Sequence, residues 1–107
     1  MLSSPGGKLE PFYDVVVIGS GYGGAIAASR FARAGQSVCV LERGLERHPG
    51  DFPDTLFGGL RHTQITTRKR RFGRASALFD LRLDDEVNVL VGCGLGGTSL
   101  INANVAL

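Results

Sequence analysis

Val15-Val16-Val17-Ile18-Gly19-Ser20-Gly21-Tyr22-Gly23-Gly24 joins an apolar tetrad to a G-x-G-x-x-G turn. A strand running into such a turn, with an Ala-rich stretch behind it, is the sequence form of a dinucleotide-binding βαβ unit. Each glycine has its own task. Gly19 permits the tight exit from the strand. Gly21 lacks a Cβ, so a pyrophosphate could approach the backbone. Gly24 lets the helix sit close on the strand, and Gly23 completes the turn. Phosphate would then meet free N–H groups at the positive end of the helix dipole.

The flanks fit the turn. Tyr13 to Ile18 is apolar apart from Asp14. Its lack of alternation predicts a parallel strand buried on both faces. Gly23 to Ala34 reads as a helix with Ala25, Ile26, Ala28, Phe31 and Ala32 as its apolar stripe and Arg30 and Arg33 facing water. Gly35 is placed to end it at positive φ. Ser37 to Leu41 reads as the second strand, followed by Glu42 and Arg43. An acidic residue about 20 positions past the glycines is where a ribose diol is held. Glu42 and Arg43 are therefore predicted cofactor residues. The Glu42 carboxylate would also repel a 2′-phosphate, which disfavours NADP.

The totals bound the rest. The chain has 107 residues, about one domain. Net charge is +2, too small to imply a polyanionic partner. Cys39 lies inside the second predicted strand, and Cys93 lies between glycines. Neither shows ligand spacing, so neither a disulfide nor a metal site is expected. His48 and His62 read as isolated, exposed loop residues. Met1 to Asp14 has no apolar leader and no run approaches a membrane span, so the expected compartment is the cytoplasm.

Residues 1–12 are expected to be a flexible lead. Residues 45–75, within an excursion that spans 45–87, are poorly patterned and broken by Pro49, Gly50, Pro53, Gly58 and Gly59. They read as an excursion over the nucleotide or the site mouth, with a short strand at 77–84. Asn88 to Val91 is brief and apolar and enters a second glycine loop, Gly92-Cys93-Gly94-Leu95-Gly96-Gly97-Thr98-Ser99. Thr98 or Ser99 is expected to cap a following helix. The end at Leu107 inside an apolar run predicts the N-terminal part of a longer protein. Arg68, Lys69, Arg70, Arg71 and Arg74 form a cluster expected to face Asp80, Asp84, Asp85 and Glu86 in solvent rather than nucleic acid.

YDVVVIGSGYGGAIAASRFARAGQSVCVLERG resembles the N-terminal FAD-binding segment of the GMC (glucose–methanol–choline) oxidoreductases. NVLVGCGLGGTSLINANV resembles their glycine-rich flavin loop, nearest the cholesterol-oxidase-like branch. The resemblance implies an α/β, Rossmann-like FAD/NAD(P)-binding fold on a parallel sheet. By it, residues 13–107 form a partial FAD-binding domain: a βαβ unit at 13–44, the excursion, and a flavin loop at 88–107. It implies FAD, with Tyr22 and Gly23 against the pyrophosphate and Glu42 on the ribose. Gly97, Thr98, Asn102, Ala103 and Val105 would line the flavin end. Ile101 stands where some members carry a histidine that bonds FAD, which implies non-covalent binding. The implied reaction is hydride transfer from an alcohol, sterol-like substrates included, with O₂ or another acceptor reoxidising the flavin. The family's catalytic base has no counterpart among these residues. Two other readings stay open, a nucleotide-binding module without chemistry and half of an NAD-dependent dehydrogenase.

Overall fold

The computed structural model describes residues 2–4 and 8–101. Strand β1 (Val15–Ile18), helix α1 (Tyr22–Arg33) and strand β2 (Val38–Leu41) form the βαβ unit. β1 and β2 pair in parallel, Val15 beside Val38 through Ile18 beside Leu41. The helical crossover makes this possible, since parallel neighbours cannot be joined by a tight turn. Each strand starts later than predicted, because Asp14 and Ser37 bond each other at the entrance. Ser37 N–H and hydroxyl donate to Asp14 Oδ2 at 2.8 and 2.7 Å, and Asp14 N–H donates to Ser37 Oγ at 3.0 Å. These bonds hold the Asp14 carboxyl below its ordinary range, the Ser37 hydroxyl contributing most.

α1 ends as its sequence predicts. Gly35 takes φ +83°. Its N–H reaches Ala32 O, and Gln36 N–H reaches Phe31 O, which is the Schellman pattern. Burial departs from the expectation. β1 alternates, with Val15 and Val17 half-buried under α1 while Val16 and Ile18 are 53% and 86% exposed. A single helix covers a single sheet face. On α1 itself Ile26 and Phe31 are exposed, and the half-buried residues are Gly24, Ala27 and Ala28.

The excursion is structured. It holds helix α2 (Leu56–Arg61) and strands β3 (Thr63–Thr66), β4 (Arg71–Phe72) and β5 (Phe79–Arg82), and β6 (Val89–Gly92) follows. These strands form a second sheet in the order β4-β3-β5-β6. The expectation of a parallel sheet therefore holds only for β1–β2 and β3–β5, and the second sheet is mixed. The reason is connection length. β3 turns into β4 through a tight bend where Thr67 N–H bonds Arg70 O, and β5 reaches β6 through a few residues, so both pairs are antiparallel.

The buried centre lies in and beside this second sheet, at Gln64, Ala77, Leu78, Asp80 and Cys93. Gln64 is fully buried, and its Nε2 donates to Ala75 O at 3.1 Å and Ala77 O at 3.0 Å. The N-terminal lead is tethered as well. Leu2 N–H and Ser3 N–H and hydroxyl donate to Glu46 at 2.7, 2.8 and 2.7 Å. Chiefly through the Leu2 bond, the Glu46 carboxyl falls to about 2. Among the described residues, no helix is long and apolar enough to cross a membrane.

Candidate cofactor site

The G-x-G-x-x-G turn leaves β1 at Gly19, whose φ is +90° and whose N–H bonds Leu41 O at 2.8 Å. Gly21 is the N-cap of α1 in extended conformation. No side chain caps the helix and no acidic residue stands in its first turn. The leading N–H groups are therefore oriented for an anion from outside the chain. A Cβ on Gly21 or Gly23 would enter open space. A Cβ on Gly24 would collide with the Gly19 carbonyl. Helix and strand therefore approach as closely as backbones allow.

Glu42 follows β2 directly. Its Oε2 accepts the Ser20 N–H at 2.9 Å and the Ser20 hydroxyl at 2.7 Å, and its Oε1 accepts the Gly44 N–H at 3.0 Å. Burial raises the Glu42 pKa, but the bonds from Gly44 and Ser20 outweigh it and the net shift is downward. Arg43 turns away from the glycine turn. Its Nη2 donates to Asp80 Oδ2 at 2.8 Å, and Asp80 is fully buried. Arg82 and Thr66 donate to the same carboxylate, at 3.1 Å from Arg82 Nη2 and 3.3 Å from Thr66 Oγ1. Burial raises the Asp80 pKa, and the Arg43 and Arg82 bonds more than reverse it. The guanidinium of Arg43, which the sequence reading placed at the cofactor, ties the end of β2 to β5.

The second glycine loop reaches back to the first. Gly96 N–H donates to Ser20 Oγ at 2.9 Å. Gly97, at φ +68°, sits so close that a Cβ there would lie 2.9 Å from Gly21 Cα. Gly44 packs on Gly94 backbone to backbone, and Leu95 N–H bonds Leu45 O at 3.1 Å. Residues 97–101 form a 3₁₀ turn. Thr98 and Ser99 do not cap it. Thr98 Oγ1 accepts the Gly92 N–H at 3.3 Å, and Ser99 Oγ donates to Gly96 O at 2.7 Å. Both hydroxyls are used to fold the loop on itself. Asn102, Ala103 and Val105, also predicted here, lie outside the described residues.

Sequence reasoning missed Ser20, which occupies a free position of the motif yet is only 7% exposed. It also missed the Gly44–Gly94 contact. The one available signal was a glycine just after the acidic residue. His48 is exposed as expected, but His62 is half-buried at the end of α2, its Nδ1 3.0 Å from Arg47 Nη1. Arg68 pairs with Asp84 at 2.7 Å and Asp85 at 3.0 Å, in line with a solvated charge cluster. Asp80 instead belongs to the interior.

Both site carboxylates have folded pKa values below their ordinary 4.5 (Glu42) and 3.8 (Asp80). Their stabilisation is complete above those values and is lost as pH falls through the lower, folded ones. Unfolding free energy is expected to hold steady from neutrality to about pH 5 and to fall steeply below about pH 4. Glu42→Gln and Asp80→Asn should flatten that fall in urea titrations at stepped pH. A wild-type profile flat to about pH 2 would refute the assignment.

Two glycine loops meeting at an uncapped helix start, beside a carboxylate at a strand end, define a dinucleotide-binding type of site. Residues 14–48 match the FAD binding domain family. The chain is 38% identical over 96 residues to a cholesterol oxidase of Mycobacterium tuberculosis, covering 90% of this chain and 16% of that protein. It is 38% identical over 79 residues to the mouse pyridine nucleotide-disulfide oxidoreductase domain-containing protein 2, covering 74% of this chain and 12% of the relative. It is 30% identical over 94 residues to the long-chain-alcohol oxidase FAO4B of Arabidopsis thaliana, covering 88% and 11%. The matched FAD binding domain, and the similarity to cholesterol oxidases of the GMC group and to a long-chain-alcohol oxidase, support FAD as the cofactor of this chain. The chain spans about one sixth of the length of the cholesterol oxidase it matches.

Proposed function

We propose that this segment holds FAD non-covalently for an enzyme that removes hydride from an alcohol, sterol-like alcohols included, with O₂ or another acceptor completing the cycle. One juxtaposition carries the reading: Gly21 and Gly97 in backbone contact beside the uncapped start of α1, with Glu42 at the adjoining strand end. In it, the N–H groups of Tyr22, Gly23 and Gly24 take the pyrophosphate. Glu42 accepts from the adenosine ribose. Gly97 and Thr98, with Asn102, Ala103 and Val105, wall the flavin end. Bound there, the flavin supplies the hydride acceptor. The chain's own contribution is to bind and orient it. Arg43 contributes through Asp80 rather than by contact.

The 13–44 unit then serves the adenosine end and the 88–107 loop the flavin end, while 45–87 supports both. The proposed compartment is the cytoplasm, where the buried thiols Cys39 and Cys93 stay reduced. Glu42→Ala is expected to weaken FAD binding by about 1–3 kcal/mol, the loss of a charge-assisted hydrogen bond. Fluorescence titration of the purified chain with FAD checks this. An unchanged affinity removes Glu42 from the site.

A further inference from the structure

Ser20 is buried although its neighbours Gly21 and Tyr22 are partly or largely exposed. It bonds three ways within one turn. Its N–H and hydroxyl both donate to Glu42 Oε2, and its oxygen accepts the Gly96 N–H. A hydroxyl suits this place because it donates and accepts at once. The two donors from Ser20 fill the lone pairs of Oε2, so Glu42 meets a ligand through Oε1, which otherwise accepts only the Gly44 N–H among these bonds. On the other side Gly96 is followed at once by Gly97, which rests on Gly21. The second loop cannot shift without disturbing Ser20, and Ser20 cannot turn without releasing Glu42.

We propose that Ser20 is a positioning residue whose hydroxyl couples the adenosine-end acceptor Glu42 to the flavin-end loop Gly96-Gly97, so that ordering one end orders the other. This rests on the FAD reading above. Alanine at 20 removes one donor from Glu42 and strands the Gly96 N–H. Both ends then loosen together, and a ligand spanning them loses more than a ligand touching one.

The test compares FAD with ADP, which reaches only the adenosine end, by titration of the full wild-type chain, Ser20→Ala and Ser20→Thr. Ser20→Ala is expected to weaken ADP several-fold and FAD by about tenfold more than ADP. Ser20→Thr, which keeps the hydroxyl, should return the FAD-to-ADP ratio towards wild type. Equal losses for both ligands, or none, overturn the coupling. In the wild-type chain, ADP alone should slow hydrogen exchange at the Gly96 amide, a readout that needs no variant. An unchanged Gly96 rate overturns the proposal even if Ser20→Ala does not fold. Failure of the wild-type chain to bind FAD at all strikes the cofactor reading itself. Normal FAD binding with an indifferent Ser20→Ala strikes only the coupling.

Discussion

Gly24→Ala is expected to be among the most destabilising single substitutions in this chain. The added Cβ would overlap the Gly19 carbonyl oxygen and lie 3.1 Å from Gly19 C and 3.3 Å from Val17 Cγ1. No rotamer change relieves a clash with backbone. Gly19 is held by its bond to Leu41 O and by its own positive φ, and α1 is held by its ladder. On a solvent-facing helix the same substitution would stabilise by about 1 kcal/mol. Here overpacking outweighs that gain, at about 3 kcal/mol, the upper end for small-to-large changes. Gly21→Ala is the matched control, because its Cβ meets nothing within 4 Å. It should keep stability within about 1 kcal/mol of wild type yet lose FAD, since the open space is the proposed path of the pyrophosphate. Urea unfolding followed by circular dichroism separates the two. Equal destabilisation of both variants would refute the packing argument.

Gly44→Ala is expected to be comparably severe, for a reason in the tertiary structure. A Cβ on Gly44 would overlap the backbone of Gly94 and Cys93. That crossing is where the exit from β2 meets the second glycine loop, and Leu95 bonds Leu45 beside it. Separating the strands of chain there would also pull the Gly44 N–H from Glu42 Oε1 and disturb the Arg43–Asp80 pair. The expected loss is about 3 kcal/mol, with FAD retention falling too, because Glu42 and Gly96 would no longer share Ser20. Gly59→Ala, at a glycine with nothing within 4 Å of its Cβ, supplies the comparison. Gly44→Ala with wild-type stability would show that the loops are not locked together.

How much was legible follows from the range of the interactions. The βαβ unit could be read almost residue by residue, since its signals are local: an apolar run, three spaced glycines, a Gly35 stop and an acid after β2. The middle of the chain could not. Thr63–Thr66 and Phe79–Arg82 are four-residue strands that pair with each other although β4 intervenes along the chain, and Arg71–Phe72 is shorter still. Such strands are stabilised by cross-strand neighbours rather than by any period of their own. Asp80 looked like surface charge within an acidic stretch. Only folding placed it, fully buried, under Arg43 and Arg82.

By itself the sequence determined the phosphate-type turn, the helix behind it, the carboxylate after the second strand and the presence of a second glycine loop. Each of these is encoded by backbone freedom or periodicity within a few neighbouring residues. What the tertiary structure alone decided is that Gly97 rests on Gly21, that Gly94 rests on Gly44, and that Ser20 joins Glu42 to Gly96. These are contacts between segments distant along the chain. They exist because glycines on both sides remove the side chains that would keep two backbones apart, a pairing that no single stretch of sequence can state.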